Sequence, residues 1–189
     1  MKPAFRFELK RKLAHIALAA YPLLFLYMGF SRIFDIEFSL AYLLLWLFSE
    51  ILRVKFRLNT PTAFFIKNVS RHAFKGDLRD SWGKIRFPFW IAGLMVPMLF
   101  GNMPMLAASI TLSFGDSISG IIKQALNRFD FITGYLPSVT IVALILYLLT
   151  GYPQFAVLSP AVGMLAELFG KYADDNLLIP IFATFGSMI

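Results

Sequence analysis

The chain has 189 residues, 58% of them hydrophobic and 15% charged, with a net charge of +7 and no cysteine. An ordinary soluble domain is roughly 45–50% apolar and about 25% charged, and a globule of this size lacks the core volume for so much apolar side chain. The mean hydropathy of +0.69 excludes disorder, and the missing cysteines exclude disulfides, thiolate metal sites and thiol nucleophiles. The composition predicts an all-α, polytopic integral membrane protein, a single domain over residues 1–189 with about six or seven transmembrane helices of roughly 20 residues each. Basic residues flank apolar runs and form no soluble basic face, which argues against a nucleic-acid partner.

Five basic residues, Lys2, Arg6, Lys10, Arg11 and Lys12, precede the first apolar run, Leu13–Phe30. That run reads as a span and not as a signal peptide, because no small-residue cleavage site follows it. On a helix, Glu8 neighbours Arg11 and Lys12, and Arg11 neighbours His15. A carboxylate, two cations and an imidazole on one face suit an anion or phosphate clamp; the alternative is an ordinary basic collar beside the membrane. The second run, Phe38–Leu52, follows an outside loop with Arg32, Asp35 and Glu37. Glu50 near its end reads either as a local ion-pair partner of Arg53 or as a support for a nearby site.

Nine basic residues lie between Arg53 and Arg86. Lys55 and Arg57 among them read as an orienting and lipid-contacting collar, as does Arg53 itself. Thr60-Pro61 reads as an N-cap followed by proline at the first helical position. Phe65, Ile66, Val69 and Ala73 then recur at helical spacing, with Lys67, Arg71 and Lys75 on another face. A basic amphipathic helix in the cytoplasmic interface is predicted there, ended by Gly76, within a loop of residues 55–86.

Five further apolar runs follow: Phe87–Phe100, Pro104–Ile122, Tyr135–Thr150, Phe155–Phe169 and Leu177–Ile189. With the N-terminus in the cytoplasm and seven alternating spans, 17 of the 18 basic residues face inside and only Arg32 faces outside. The positive-inside rule therefore sets the orientation. It places the Glu8–His15 cluster and two more polar clusters on the cytoplasmic side.

The second cluster lies on the fourth run. Ser109, Ser113, Asp116, Ser117, Gly120 and Lys123 share one helical stripe. Small residues there can serve helix packing alone, but packing does not explain Asp116, a carboxylate in an apolar span. A carboxylate among small residues suits Mg²⁺, which takes one or two protein carboxylates and fills its shell with phosphate and water. Gly115 would let backbone approach the ligand. Nothing basic stands within three positions of Asp116, so Asp116→Asn is expected to leave thermal stability equal or raised. The third cluster holds Glu167 and Lys171, spaced i,i+4, and then Asp174, Asp175 and Asn176. Asp175 or Asn176 reads as the N-cap of the last span; alternatively Asp174 and Asp175 join Glu167 and Asp116 as metal ligands. Walker A, Rossmann, HExxH and GxSxG motifs are absent.

At these clusters the chain resembles the dolichol kinase and phytol kinase family, membrane enzymes that phosphorylate polyprenol-type alcohols with CTP. The family's E-x-x-R-K-x-x-H is matched by Glu8, Arg11, Lys12 and His15. Its G-D-[ST]-x-A/S segment is matched by Gly115, Asp116, Ser117 and Ser119. Its final signature is similar to the stretch from Glu167 through Asp175, Asn176, Leu177, Ile179 and Pro180, and Gly83 with Phe87-Pro88 looks like the family's glycine before a span. Two features depart from the pattern. Lys123 stands where the family has glycine, and the loop Phe129–Tyr135 has Gly134 but neither the family's lysine nor its glutamate.

The resemblance implies a lipid-alcohol kinase with CTP as co-substrate and Mg²⁺ as cofactor, acting on an isoprenoid alcohol within the bilayer. Asp116, Asp174, Asp175 and Glu167 would hold the metal. Arg11, Lys12, Lys171 and Lys123 would neutralise phosphate oxygens, with Gly115, Ser117 and Asn176 lining the nucleotide. Asp116, Asp175 or His15 would take the alcohol proton, and Glu8 and Glu50 would orient these groups. The rival readings are a CDP-lipid synthase, a CTP-dependent diacylglycerol kinase and a lipid-binding or transport protein without turnover.

Overall fold

A computed structural model describes residues 9, 12, 13, 16, 17, 21–61, 89–128, 130–169 and 174–189. All regular structure among them is helical. In chain order the elements are α1 (Tyr21–Tyr27), α2 (Arg32–Phe56), α3 (Phe89–Phe100), α4 (Asn102–Ile110), a π-turn (Thr111–Gly115), α5 (Asp116–Leu126), α6 (Phe131–Thr150), α7 (Pro153–Met164), a 3₁₀ turn (Leu165–Phe169) and α8 (Asp175–Gly186). Leu9, Lys12, Leu13, Ile16 and Ala17 are also helical.

Capping residues set the helix starts. Ser31 accepts from the Phe34 N–H at 3.2 Å and opens α2. Asp130 accepts from the Thr133 N–H at 2.8 Å and opens α6, and its hydrogen bonds to the Thr133 hydroxyl and N–H hold its carboxyl below the usual range. Both helices therefore begin before their apolar runs. Two expected loops are corrected accordingly: Arg32, Asp35 and Glu37, expected in an outside loop, lie on the first two turns of α2, and Phe131–Tyr135 of the loop expected at Phe129–Tyr135 is helix. Gly101, at φ +133°, makes the turn between α3 and α4 in a conformation that side chains disfavour. The predicted interfacial helix falls outside the described residues except for its start, where Thr60 is buried and Pro61 is helical.

Helix α8 occupies the centre and packs on α7, α3 and α4. Ile91, Leu94 and Met98 of α3, Met105 and Ala108 of α4, and Ile179 and Ala183 of α8 form the main apolar cluster. A second cluster joins Ile110, Val142, Leu146 and Ala156. Small residues bring the axes close. A Cβ on Gly93 would lie 2.6 Å from the Asn176 carbonyl oxygen, and one on Gly186 would lie 2.5 Å from that of Leu158.

One polar group inside this packing was expected in a loop. Asp35 is 1% exposed, and its Oδ1 has no hydrogen-bond partner among the described residues. Beside it, Ser39 donates to the Asp35 backbone oxygen at 2.6 Å and lies 2.6 Å from the Tyr21 hydroxyl. An ionised carboxylate is costly in such apolar surroundings.

Two outcomes follow from this packing. Gly93→Ala should destabilise the fold by about 1–3 kcal/mol, because the added methyl meets backbone and not a yielding side chain; thermal unfolding in detergent measures it. Asp35→Asn keeps the shape and removes the charge, so the midpoint of the same unfolding curve should hold or rise. A drop of several degrees would show that the ionised form is stabilised in the fold.

Candidate functional site

The geometry starts from the backbone of α4 through α5. These residues form a continuous helical run from Asn102 to Leu126, interrupted by the five-residue π-turn Thr111–Gly115. Such wide turns recur at functional sites because they re-aim the side chains that follow. Asp116 is the first residue beyond it and is buried. Ser109, Thr111 and Ser113 have buried hydroxyls with no hydrogen-bond partner among the described residues. Ser138, Ser159 and Thr184, on other helices, instead donate to the carbonyl four residues earlier at 2.6–2.7 Å.

The N-terminal helix meets Asp116 directly. Lys12, 3% exposed, donates from Nζ to Asp116 Oδ2 at 2.5 Å and to the Asp116 backbone oxygen at 3.0 Å. Ser117 Oγ donates to the Lys12 backbone oxygen at 3.4 Å. Asp116 thus has a cation 104 residues away in sequence. This corrects the expectation that its removal relieves strain, because Asp116→Asn would leave a buried ammonium short of its counter-charge. Ser117, expected to line a nucleotide, is fully buried and spends its hydroxyl on this latch.

The start of α8 completes the group. Asp174 is the N-cap: its Oδ1 accepts from the Asn176 N–H at 2.9 Å and from Asn176 Nδ2 at 2.8 Å. The capping role falls to Asp174, and not to Asp175 or Asn176, and the Asn176 amide is turned onto that cap. Asp175 is left as the first helical residue, within electrostatic reach of Asp116, Asp174 and Lys12. Asp116, paired with Lys12, and Asp175, within electrostatic reach of both, thus come from helices far apart in sequence. Gly93 makes this possible by letting α3 touch the Asn176–Leu177 backbone.

Other expected members stand elsewhere. Glu167, expected at the metal, forms an ion pair with Lys123, expected at the phosphates; both are largely buried. Gly115, expected to cradle the ligand, is buried, and a Cβ there would lie 2.7 Å from Met164 Sδ, so its bare face serves packing against α7. Glu50 accepts from Arg53 Nε at 2.9 Å and Nη2 at 2.7 Å, a bidentate pair at 0% and 2% exposure. Glu50 is thus the local ion-pair partner, and Arg53 is no collar residue. Glu8, Arg11, His15 and Lys171 lie outside the described residues.

The α2 and α4 helices begin together at an open cavity of about 580 Å³, lined by Ser31, Arg32, Gly101 and Asn102 among others. The Asp116 group lies away from it, past the middle of the run: 14 residues along the helix from Asn102, or roughly 20 Å. Among the described residues no group of three or more His, Asp or Glu side chains forms a metal cluster. The donors available are the Asp116 and Asp175 carboxylates, which suits a cation that takes most of its ligands from phosphate and water, as Mg²⁺ does.

A double-mutant cycle tests the central pair. Lys12→Met and Asp116→Asn should each destabilise the protein by about 3–5 kcal/mol, and the double variant by much less than the sum. Additive losses in thermal unfolding would show that the two groups are not coupled. The chain matches no protein-family model, no curated protein and no solved structure.

Proposed function

We propose that the chain is a membrane-embedded phosphotransferase: a nucleoside triphosphate, CTP by the resemblance of its motifs, and an isoprenoid alcohol give the lipid monophosphate and the nucleoside diphosphate. The observation that carries this reading is the buried Lys12 ammonium against Asp116, with the Asp175 carboxylate in electrostatic reach of both. Phosphoryl transfer needs positioning and charge neutralisation more than covalent help from the protein. The carboxylates would hold a divalent cation and the Lys12 ammonium would add positive charge, in a low-dielectric site where both count for more than in water.

In this mechanism Asp116 and Asp175 would hold Mg²⁺, and the ion would supply neutralisation of the phosphate charge. Lys12 stands at the same oxygens, with Arg11 and Lys171 as further cations. The alcohol oxygen forms the new bond to the γ-phosphorus while the bridging bond to the β-phosphate breaks. The alcohol proton passes to a carboxylate, Asp116 or Asp175, or to His15.

The membrane setting belongs to the same proposal: about seven spans, with the N-terminus and the site cytoplasmic. Two helical stretches, Asn102–Leu126 and Phe131–Thr150, are long and apolar enough to cross a bilayer. Large apolar side chains on the outer faces of α2 and α6, such as Leu45, Phe48, Leu144 and Leu148, are exposed, as lipid-facing positions would be. The prenyl tail would lie between spans, with its hydroxyl at the Asp116 end.

Purified protein given γ-labelled CTP, Mg²⁺ and a panel of prenols and diacylglycerol should label a prenol. Asp116→Asn and Asp175→Asn should each lower that turnover about 10²–10³-fold. Labelled diacylglycerol would identify the diacylglycerol kinase, release of pyrophosphate the CDP-lipid synthase, and no nucleotide consumption a binding or transport protein. For the topology, this cysteine-free chain permits single labels. An impermeant thiol reagent added to cells should modify Glu37→Cys and spare Arg128→Cys; the reverse would separate the site from cytoplasmic nucleotide.

A further inference from the structure

We propose that Lys123 and Glu167 are positioning residues: their ion pair seats the 3₁₀ turn Leu165–Phe169 on α5, and so sets where Asp175 stands relative to Asp116. This rests on the phosphotransferase reading and assigns the pair a role other than contact with phosphate or metal.

The pair joins residues 44 apart in sequence, with side chains 16% and 12% exposed. Lys123 follows Asp116 by seven residues on α5, two helical turns or roughly 10 Å along one face. It is confined on its far side as well. A Cβ on Gly134 of α6 would collide with Ser119 Oγ and Lys123 Cε, so α6 walls in the lysine stem. The Asp130 cap starts α6 there.

Glu167 sits where α-helical geometry has given way to the tighter 3₁₀ form. Such turns are held by poorer hydrogen bonds than an α-helix, so an external tether matters. The same turn packs on α8, whose first residue is Asp175. A chain of contacts thus runs from Asp116 along α5 to Lys123, across to Glu167, and on to α8. An ion pair of this kind fixes geometry in either polarity, whereas direct contact with phosphate would require the cation at position 123.

That last point makes the test. Lys123→Met, Glu167→Gln and the exchange Lys123→Glu with Glu167→Lys are compared in full-length protein. Spin labels on Ala125→Cys and Leu168→Cys report the seating of the turn, and turnover with CTP and a prenol is measured against Mg²⁺ concentration. Each single variant should broaden the label distance and raise the half-saturating Mg²⁺ about tenfold. The exchanged pair should restore both to within about twofold of wild type. If Lys123→Met impairs turnover with the label distance unchanged, or if the exchange restores distance but not the Mg²⁺ requirement, Lys123 touches phosphate directly and the proposal falls. Narrow distances in both single variants also overturn it. Wild-type protein that consumes no nucleotide overturns the phosphotransferase reading instead, while the label distances still decide whether the pair holds the turn.

Discussion

The Lys12–Asp116 pair is the constraint on which the site depends. A carboxylate on an apolar helix is tolerable only with a partner, and a nearly buried ammonium is equally demanding. Each group therefore requires the other, and the requirement brings the N-terminal helix onto the start of α5. Ser117 closes the latch by donating to the Lys12 backbone. Replacing such a pair with apolar residues need not weaken a fold, whereas removing one member does. What the pair provides is register: it fixes which turn of the N-terminal helix faces the π-turn. Asp175 then adds a second negative charge within electrostatic reach of the pair.

The same rule governs two further buried pairs in the described part of the bundle. Glu50 and Arg53 satisfy one another within one turn of α2, and Lys123 and Glu167 do so between α5 and the 3₁₀ turn. All three pairs lie toward one end of the helices. Arg32 stands at the opposite end, by the turn between α3 and α4. Polar chemistry is thus concentrated at one end, and long apolar faces of α2 and α6 run away from it.

Glycine and small residues decide how the polar end is assembled. Gly93 lets α3 reach the Asn176–Leu177 backbone, Gly163 lets α7 reach Ala183, and Gly134 lets α6 reach Lys123. A methyl group at any of these points meets atoms closer than van der Waals contact allows. The helix carrying Asp116 is wound differently from its neighbours through the π-turn, and three buried hydroxyls in and around that turn lack the carbonyl bond that hydroxyls on other helices make.

The sequence by itself determined the helical class and most helix positions among the described residues, because hydropathy, caps and turn residues act over a few positions. Ser31, Gly101, Asp130 and Gly151 each mark a boundary by local geometry. The oddity of Asp116 was legible as a carboxylate in an apolar run, and Glu50 with Arg53 as a pair three residues apart. Capping pulled α2 and α6 beyond their apolar runs and took Asp35 into the interior, which hydropathy alone does not register. Only the tertiary structure decided who pairs with whom. Lys12 with Asp116 and Lys123 with Glu167 are separated by 104 and 44 residues, and opposite charges carry no label for their partners. The division of labour between Asp174 and Asp175 was equally out of reach, since it turns on which carboxylate falls one residue before the helix. Packing settles such matters, because which charged groups meet depends on how the helices are arranged, not on their order along the chain.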